Sequence, residues 1–184
     1  MTSASPKPHA CVVLAVDPAK VSGWAIVARA PGTASELACG CNTARTADAR
    51  RRAAESAFAA AFIAGLPLVV CAERWSSHGA FGGARTQRGL GAAWGRWAEA
   101  LEIAGVPKRR IVRVYAQTWA GAILSAGGRG WTRERREAAS IAYVKRRFGI
   151  ECGADEAAAV CLGVYGMHCA EVAAALPKAR KGTR

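Results

Sequence analysis

Two short apolar segments near the N-terminus constrain the fold of this chain more than any other feature. The first, "CVVLAV" at 11–16, is rich in β-branched residues and is followed by Asp17-Pro18, a pair typical of turns. The second, "GWAIVA" at 23–28, comes after a loop of six residues. Apolar segments joined by so short a connection predict two strands that pair as a hairpin. The fold is therefore expected to begin with a β-sheet.

The later segments alternate between strand and helix patterns. Three more strands are predicted, at 36–43, 68–73 and 110–115. Helices are predicted at 46–65, after a glycine-rich stretch at 79–91, at 119–124, at 132–148 and from 155 onward. This order of elements is typical of an α/β fold. We predict a mixed five-stranded sheet flanked by helices.

Length and composition indicate a single domain. The 184 residues suffice for one sizeable core, and they contain no internal repeat and no linker. We expect a flexible N-terminal arm at 1–10, the globular domain at 11–176 and a basic, disordered tail at 177–184. No apolar run approaches the roughly 20 residues that cross a bilayer, and the first ten residues do not have the order of a secretory signal. We expect a cytoplasmic protein with no membrane partner.

The cysteines indicate neither a disulfide framework nor a zinc cluster. Their number, seven, is odd. Cys39 and Cys41 form a C-x-C pair, but no second pair stands at zinc-binding spacing. Other cysteines lie in apolar segments, where free cysteine behaves as a small hydrophobic residue.

Charge is the strongest signal in the composition. Lys and Arg number 26 against 13 Asp and Glu, which gives a net charge of +13. Any one basic cluster is explained most simply as a solvated surface, but an excess of this size is not, because mixed surfaces balance nearer zero. No segment combines a basic face with a strongly apolar, aromatic face, so an anionic membrane is the weaker candidate partner. The charge favours nucleic acid.

Three of the few acidic residues occupy special positions. Asp17 ends the first predicted strand, Glu73 ends the fourth and Asp155 begins the last helix. Carboxylates at the ends of adjacent strands, about 4.8 Å apart, can converge. Convergent carboxylates repel one another unless a cation lies between them, and Mg²⁺ or Mn²⁺ prefers such oxygen ligands. Two ions about 4 Å apart can promote phosphodiester hydrolysis.

Each acid also has a purely structural explanation. Asp17 can cap a turn before Pro18, Glu73 can pair with Arg74, and Asp155 can stabilise a helix N-terminus. Each of these explanations is the stronger one when its residue is taken alone. Together with the basic charge and the strand order, the three acids favour a metal-dependent site.

Four segments resemble RuvC-type Holliday junction resolvases of the bacteriophage-like branch. The first is "VLAVDPAKVSGWAIV", similar to the opening hairpin of the family, and the second is "VVCAERWS", similar to the strand with its metal-binding glutamate. The third joins "GLGAAWGRWAEALEIAGVP" to "VRVYAQTWAGAIL", and the fourth is "ADEAAAVCLGVYG", similar to the terminal signature. The resemblance spans about residues 11–167 and implies an RNase H-like fold.

The resemblance implies an active site with one ligand missing. Asp17 and Glu73 match metal-binding acids, and Asp155 matches the first acid of a terminal pair whose second member falls on Ala158. A second alignment places Cys152 on the first acid and Asp155 on the second. Glu156 is a poor substitute, because adjacent helical residues point about 100° apart. The resemblance therefore implies an impaired catalyst, natural or engineered, in which Ala158→Asp should create strong cleavage.

The resemblance also implies which residues contact DNA. Relatives carry lysines near the start of the penultimate helix, where this chain has Arg133, Arg135 and Arg136, which can bind phosphate bidentately. The segment after Glu73 matches a loop that enters the junction centre. We expect it to contribute contacts from three side chains: Trp75, Phe81 and Arg85. Packing of the two aromatic rings on the core is equally compatible with the sequence.

The implied function is that of a homodimeric endonuclease for DNA recombination and repair. It would resolve four-way junctions by paired nicks, with two Mg²⁺ or Mn²⁺ ions in each site. The helix with Trp94 and Trp97 is a candidate dimer interface, although both tryptophans also suit a core. A non-cleaving protein that binds branched DNA is the main alternative. An actin-like ATPase is disfavoured, because the chain has neither a second phosphate loop nor the necessary length.

Overall fold

The structure, a computed structural model, describes residues 10–19, 21–33, 36–74, 84–124 and 131–169, together with 172, 174 and 176. The predicted tail at 177–184 lies outside these residues, as does the predicted arm except for residue 10. Trp75 and Phe81 also lie outside them, and Arg85 is described only by its place in a helix.

Among the residues that the structure describes, five strands form one mixed sheet, as predicted. They are β1 (Cys11–Asp17), β2 (Ser22–Arg29), β3 (Leu37–Ala44), β4 (Leu68–Arg74) and β5 (Ile111–Tyr115). The order across the sheet is β3-β2-β1-β4-β5. The first three strands are antiparallel neighbours, whereas β4 runs parallel to β1 and β5 runs parallel to β4. The carboxyl ends of β1, β4 and β5 therefore meet at one edge of the sheet.

In the described ranges, five α-helices cover the two faces of the sheet. They are α1 (Ala47–Ala64), α2 (Ala84–Ile103), α3 (Ala116–Ile123), α4 (Arg133–Phe148) and α5 (Ala154–His168). The Thr46 and Thr132 hydroxyls accept hydrogen bonds from backbone N–H groups at the starts of α1 and α4, as N-caps do. The fold prediction is confirmed, although α3 begins directly after β5 at residue 116 instead of 119. No helix in the described part of the chain is long and apolar enough to cross a membrane.

Alternating residues of the strands face two apolar cores. Val13, Ala15 and Cys71 pack against α5 and α3, whereas Leu14 and Val70 pack against α1 and α2. The first six residues of β1 are fully buried, because both faces of this central strand are covered. Burial of a valine or leucine side chain contributes about 1.5–3 kcal/mol, so this strand is a rigid base for the residue at its carboxyl end.

The tryptophans of α2 differ in environment. Trp97 is fully buried in the core between α2 and the sheet, so it is a core residue. Trp94 is only partly buried and packs against the edge of the same core. The guanidinium of Arg113 lies 4.8 Å from the centre of the Trp94 ring.

Two glycines let α5 approach the sheet closely. A Cβ atom at Gly163 would lie 2.6 Å from Cγ2 of Val27, so no larger residue fits there without a shift. A Cβ atom at Gly23 would lie 2.0 Å from the carbonyl oxygen of Asp155. Gly23 is also the β2 partner of Asp17 in the ladder. The glycine on β2 therefore brings the start of α5 against the end of β1.

Candidate active site

Three predicted acids lie around one cavity at the carboxyl edge of the sheet. Asp17 is the last residue of β1, and Glu73 is the penultimate residue of the parallel neighbour β4. Asp155 is the second residue of α5, which Gly23 admits to the same edge. All three carboxylates line a cavity of about 230 Å³. Sheet topology and helix packing thus bring together residues far apart in sequence.

Trp119 fixes the position of the Glu73 carboxylate. Its Nε1 donates a hydrogen bond of 2.9 Å to Oε2 of Glu73. Trp119 is buried and stands in the first half of α3, directly after the strand beside β4. Burial raises the pKa of Glu73, and the Trp119 hydrogen bond and the Arg136 charge act in the opposite direction. The buried indole therefore both orients this carboxylate and partly stabilises its charge.

The site carries negative charge that the surrounding protein compensates only in part. Burial raises the pKa of Asp17 to about 8, and the charges of Glu73 and Asp155 add to the rise. The positive charges of Arg133 and Arg136 lower it. Because the carboxylates repel one another in a poorly hydrated place, a cation is favoured there.

The residues of the cavity fit a hard divalent cation. Within the described ranges, no three His, Cys, Asp or Glu side chains are grouped so that they could hold a metal ion together. Mg²⁺ does not require such a cage, because it commonly binds one or two carboxylates and completes its coordination with water and substrate phosphate. The carboxylates of Asp17 and Glu73, whose charges repel each other, would supply that minimal set, and Asp155 lines the same cavity.

Ala158 and Cys152, the two positions where the resemblance can place a missing acid, have different surroundings. Ala158 lies one turn after Asp155 and lines the same cavity with only a methyl group. Cys152, the alternative candidate, instead forms a hydrogen bond with the thiol of Cys41 on β3. Glu156 acts electrostatically on both of these thiols, and Glu151 pairs with Lys145 at 2.7 Å.

The three predicted arginines of α4 divide into two groups. Arg133 and Arg136 line the cavity beside the carboxylates. Arg135 is not among the residues that line the cavity, and its guanidinium lies 4.9 Å from the centre of the Trp131 ring. Two cationic side chains therefore flank the acidic cavity, where a phosphate group would need them.

Glu137 is a cavity residue that the sequence reasoning missed. It lies on α4 beside Arg133, Arg136 and Ser140, and all four line the cavity. Nε of Arg133 donates a hydrogen bond of 2.5 Å to Oε1 of Glu137. Its position one turn after Arg133 was a usable signal, because residues four apart share a helix face.

Comparisons with known proteins identify the fold. No family model matches the sequence, and no curated protein sequence matches it. Among solved structures, T. thermophilus RuvC in complex with a Holliday junction substrate is similar over 89% of this chain and 97% of that chain, with 16% identity and a TM-score of 0.62. Another Thermus thermophilus RuvC structure is similar over 84% and 93%, with 17% identity and a TM-score of 0.55. The chain therefore has an RNase H-like fold of the RuvC type.

Proposed function

We propose that this protein is a metal-dependent endonuclease that resolves four-way DNA junctions, of the bacteriophage-like RuvC branch. The observation that carries the proposal is the convergence of Asp17, Glu73 and Asp155 on one cavity flanked by Arg133 and Arg136. The fold is that of a protein solved with a Holliday junction, and the four sequence motifs support the same function.

The residues of the cavity divide the work of hydrolysis. Asp17, Glu73 and Asp155 would hold one or two Mg²⁺ or Mn²⁺ ions, which supply an activated water and stabilise the leaving oxygen. Trp119 keeps the Glu73 carboxylate in a fixed orientation. Arg133 and Arg136 bind the phosphate that is cut and offset its charge.

DNA binding would extend beyond the cavity. The net charge of +13 supplies a general attraction for phosphate backbones. We propose further contacts from four side chains: Trp75, Phe81, Arg85 and Arg135. Because a four-way junction presents two symmetric strands for cutting, the protein would act as a homodimer with two sites. It would work in the cytoplasm during recombination and repair.

A nicking assay on a synthetic four-way junction tests this function. We expect symmetric nicks with Mg²⁺ or Mn²⁺, and their loss in Asp17→Asn and Glu73→Gln while junction binding persists. Glu151→Gln is the control, because that exposed carboxylate pairs with Lys145. Nicking by Asp17→Asn at the wild-type rate would exclude the proposed centre.

Ala158 favours one other candidate function, that of a branched-DNA-binding protein that does not cut. Because Asp155 is the one α5 carboxylate among the described residues that line the cavity, α5 contributes one acid fewer there than the resemblance implies. Junction binding without nicking, in both the wild type and Ala158→Asp, would support this alternative.

A further inference from the structure

A fourth carboxylate stands at the cavity, on a different helix from the one where the resemblance places it. Glu137 of α4 and Ala158 of α5 both line the cavity that Asp17, Glu73 and Asp155 line. The Glu137 side chain is 32% exposed, so it lies at the mouth of the cavity and not on the open surface.

The packing of α4 against α5 explains why Glu137 reaches this place. Arg133, Glu137 and Ser140 lie on one face of α4, at spacings of four and three residues. That face meets the first turns of α5, where Asp155 and Ala158 also line the cavity. Ala158 contributes only a methyl group, so it leaves space that an aspartate side chain would occupy.

The charge of Glu137 acts on Asp155. Burial raises the pKa of Asp155, and the negative charges of Glu156 and Glu137 add to that rise. Repulsion between Glu137 and Asp155 opposes folding unless a cation offsets it. Arg133 provides one such cation through its hydrogen bond to Oε1.

The contact with Arg133 leaves Glu137 able to bind a second cation. A carboxylate has two oxygens, and Arg133 engages Oε1. Metal-binding carboxylates are commonly hydrogen-bonded in this way by an outer residue that holds them in place. Arg133 is therefore suited to orient Glu137, while it also lines the cavity.

We propose that Glu137 supplies, from α4, the metal-binding carboxylate that Ala158 does not supply from α5. This inference rests on the proposed function, since it assigns one more ligand to the same divalent-cation site. It implies that the chain is not simply an impaired copy of its relatives, because a fourth acid would reach the site from α4. Cleavage by the wild type should then depend on Glu137.

Direct titration of Mn²⁺ into the full-length protein, with free Mn²⁺ measured by electron paramagnetic resonance, tests this role. Loss of an outer-shell partner weakens metal binding roughly 10- to 100-fold, so Glu137→Gln should weaken Mn²⁺ binding at least about tenfold. Glu134→Gln is the matched control, because it removes the same charge from the same helix at a fully exposed position. Its affinity should equal that of the wild type.

A double-mutant cycle separates a metal ligand from an indirect effect. Ala158→Asp should tighten Mn²⁺ binding and speed junction nicking, and Glu137→Gln should then cost little in that background. An equal loss in both backgrounds would show that Glu137 acts through Arg133, and this would overturn the proposal.

The same titration distinguishes this proposal from the proposed function. If Asp17→Asn abolishes Mn²⁺ binding while Glu137→Gln binds like the wild type, the metal site stands and the role of Glu137 is wrong. If Ala158→Asp binds Mn²⁺ and the wild type does not, the site lacks an acid and Glu137 does not replace it. If neither protein binds Mn²⁺, both proposals fail.

Discussion

At the scale of single residues, the candidate site brings together carboxylates whose charges repel one another. Asp17 comes after six fully buried residues of β1 and faces the like charges of Glu73 and Asp155. Polar groups with strongly shifted pKa values in a cleft are typical of functional sites. Arg133 and Arg136 reduce the repulsion, but they leave the pKa of Asp17 well above its ordinary value.

The raised pKa of Asp17 predicts how stability depends on pH without metal. Because the pKa rises from 3.8 to about 8 on folding, the folded protein binds the proton more tightly than the unfolded chain between these values. The free energy of unfolding should therefore decrease as pH rises through this window. In thermal melts with a chelator present, the Tm should fall as pH rises through this window. Asp17→Asn should make the Tm less dependent on pH.

Added Mn²⁺ provides the complementary measurement. It should raise the Tm of the wild type more at pH 8 than at pH 5, because the carboxylates must lose protons to bind it. A metal-free Tm that stays constant or rises through this range would contradict the electrostatic account of Asp17.

Trp119 offers a second prediction for a single residue. Trp119→Phe keeps most of the buried ring but removes the hydrogen bond to Glu73. Outer residues that orient a ligand commonly contribute about 10- to 100-fold to affinity or activity, so nicking should fall by about that factor. Junction binding and secondary structure by circular dichroism should be retained. Unchanged nicking would mean that Glu73 needs no fixed orientation.

At the scale of elements, the site depends on how α5 and α4 meet the edge of the sheet. The strand order brings Asp17 and Glu73 together, and Gly23 allows the backbone of Asp155 to reach them. Gly163 and Gly166 then let α5 lie close against Val27, Val13 and Cys71 further along the sheet. The acid on α5 is therefore positioned by backbone contact with β2.

Gly23→Ala tests this positioning. The new Cβ atom would lie 2.0 Å from the Asp155 carbonyl oxygen, a backbone atom that moves only if the start of α5 moves. We expect a lower Tm, because an overpacked site reduces the free energy of unfolding by about 1–3 kcal/mol. The loss of nicking should be greater than the loss of junction binding. Gly40→Ala on β3 is the control, since its Cβ atom would meet no atom within 4 Å. Equal nicking by both variants would contradict the account.

The strands and helices could be predicted from the sequence where local residue patterns determine them. The β-branched segments and the Thr46 and Thr132 caps indicate strands and helix starts without tertiary information. The proximity of Asp17 and Glu73 could be predicted, because the carboxyl ends of neighbouring parallel strands meet at one edge of a sheet. The hydrogen bond from Trp119 to Glu73 joins residues 46 apart, and Glu137 faces Ala158 only through the packing of two helices. Such contacts depend on side-chain packing between elements, which no local pattern encodes.

At the scale of the whole molecule, an acidic cavity lies in a strongly basic protein. The net charge of +13 attracts DNA as a whole, while the cavity repels phosphate unless cations are bound. Under the proposed function, the two properties would have separate roles: the basic surface would hold the nucleic acid, and a bound cation would make the cavity accessible to its backbone. Metal should therefore affect cutting more than binding.

Salt dependence tests the role of the basic surface. Affinity for a four-way junction should fall steeply with salt, since each neutralised phosphate contributes about 0.9 to the slope of log K against log salt. The junction should bind more tightly than a linear duplex of the same length at every salt concentration. Fluorescence anisotropy with both DNAs makes the comparison. Equal affinity for the two would indicate a general basic DNA-binding protein.

The cavity at the carboxyl edge of the sheet is, on this account, a divalent-cation site, and anomalous diffraction from wild-type crystals soaked in Mn²⁺ tests that claim most directly. We expect an anomalous peak at about 2 Å from carboxylate oxygens of Asp17 and Glu73, with Asp155 and Glu137 as the further carboxylate ligands. Mn²⁺ bound only elsewhere, with Arg133 or Arg136 lying between the two carboxylates in its place, would contradict it.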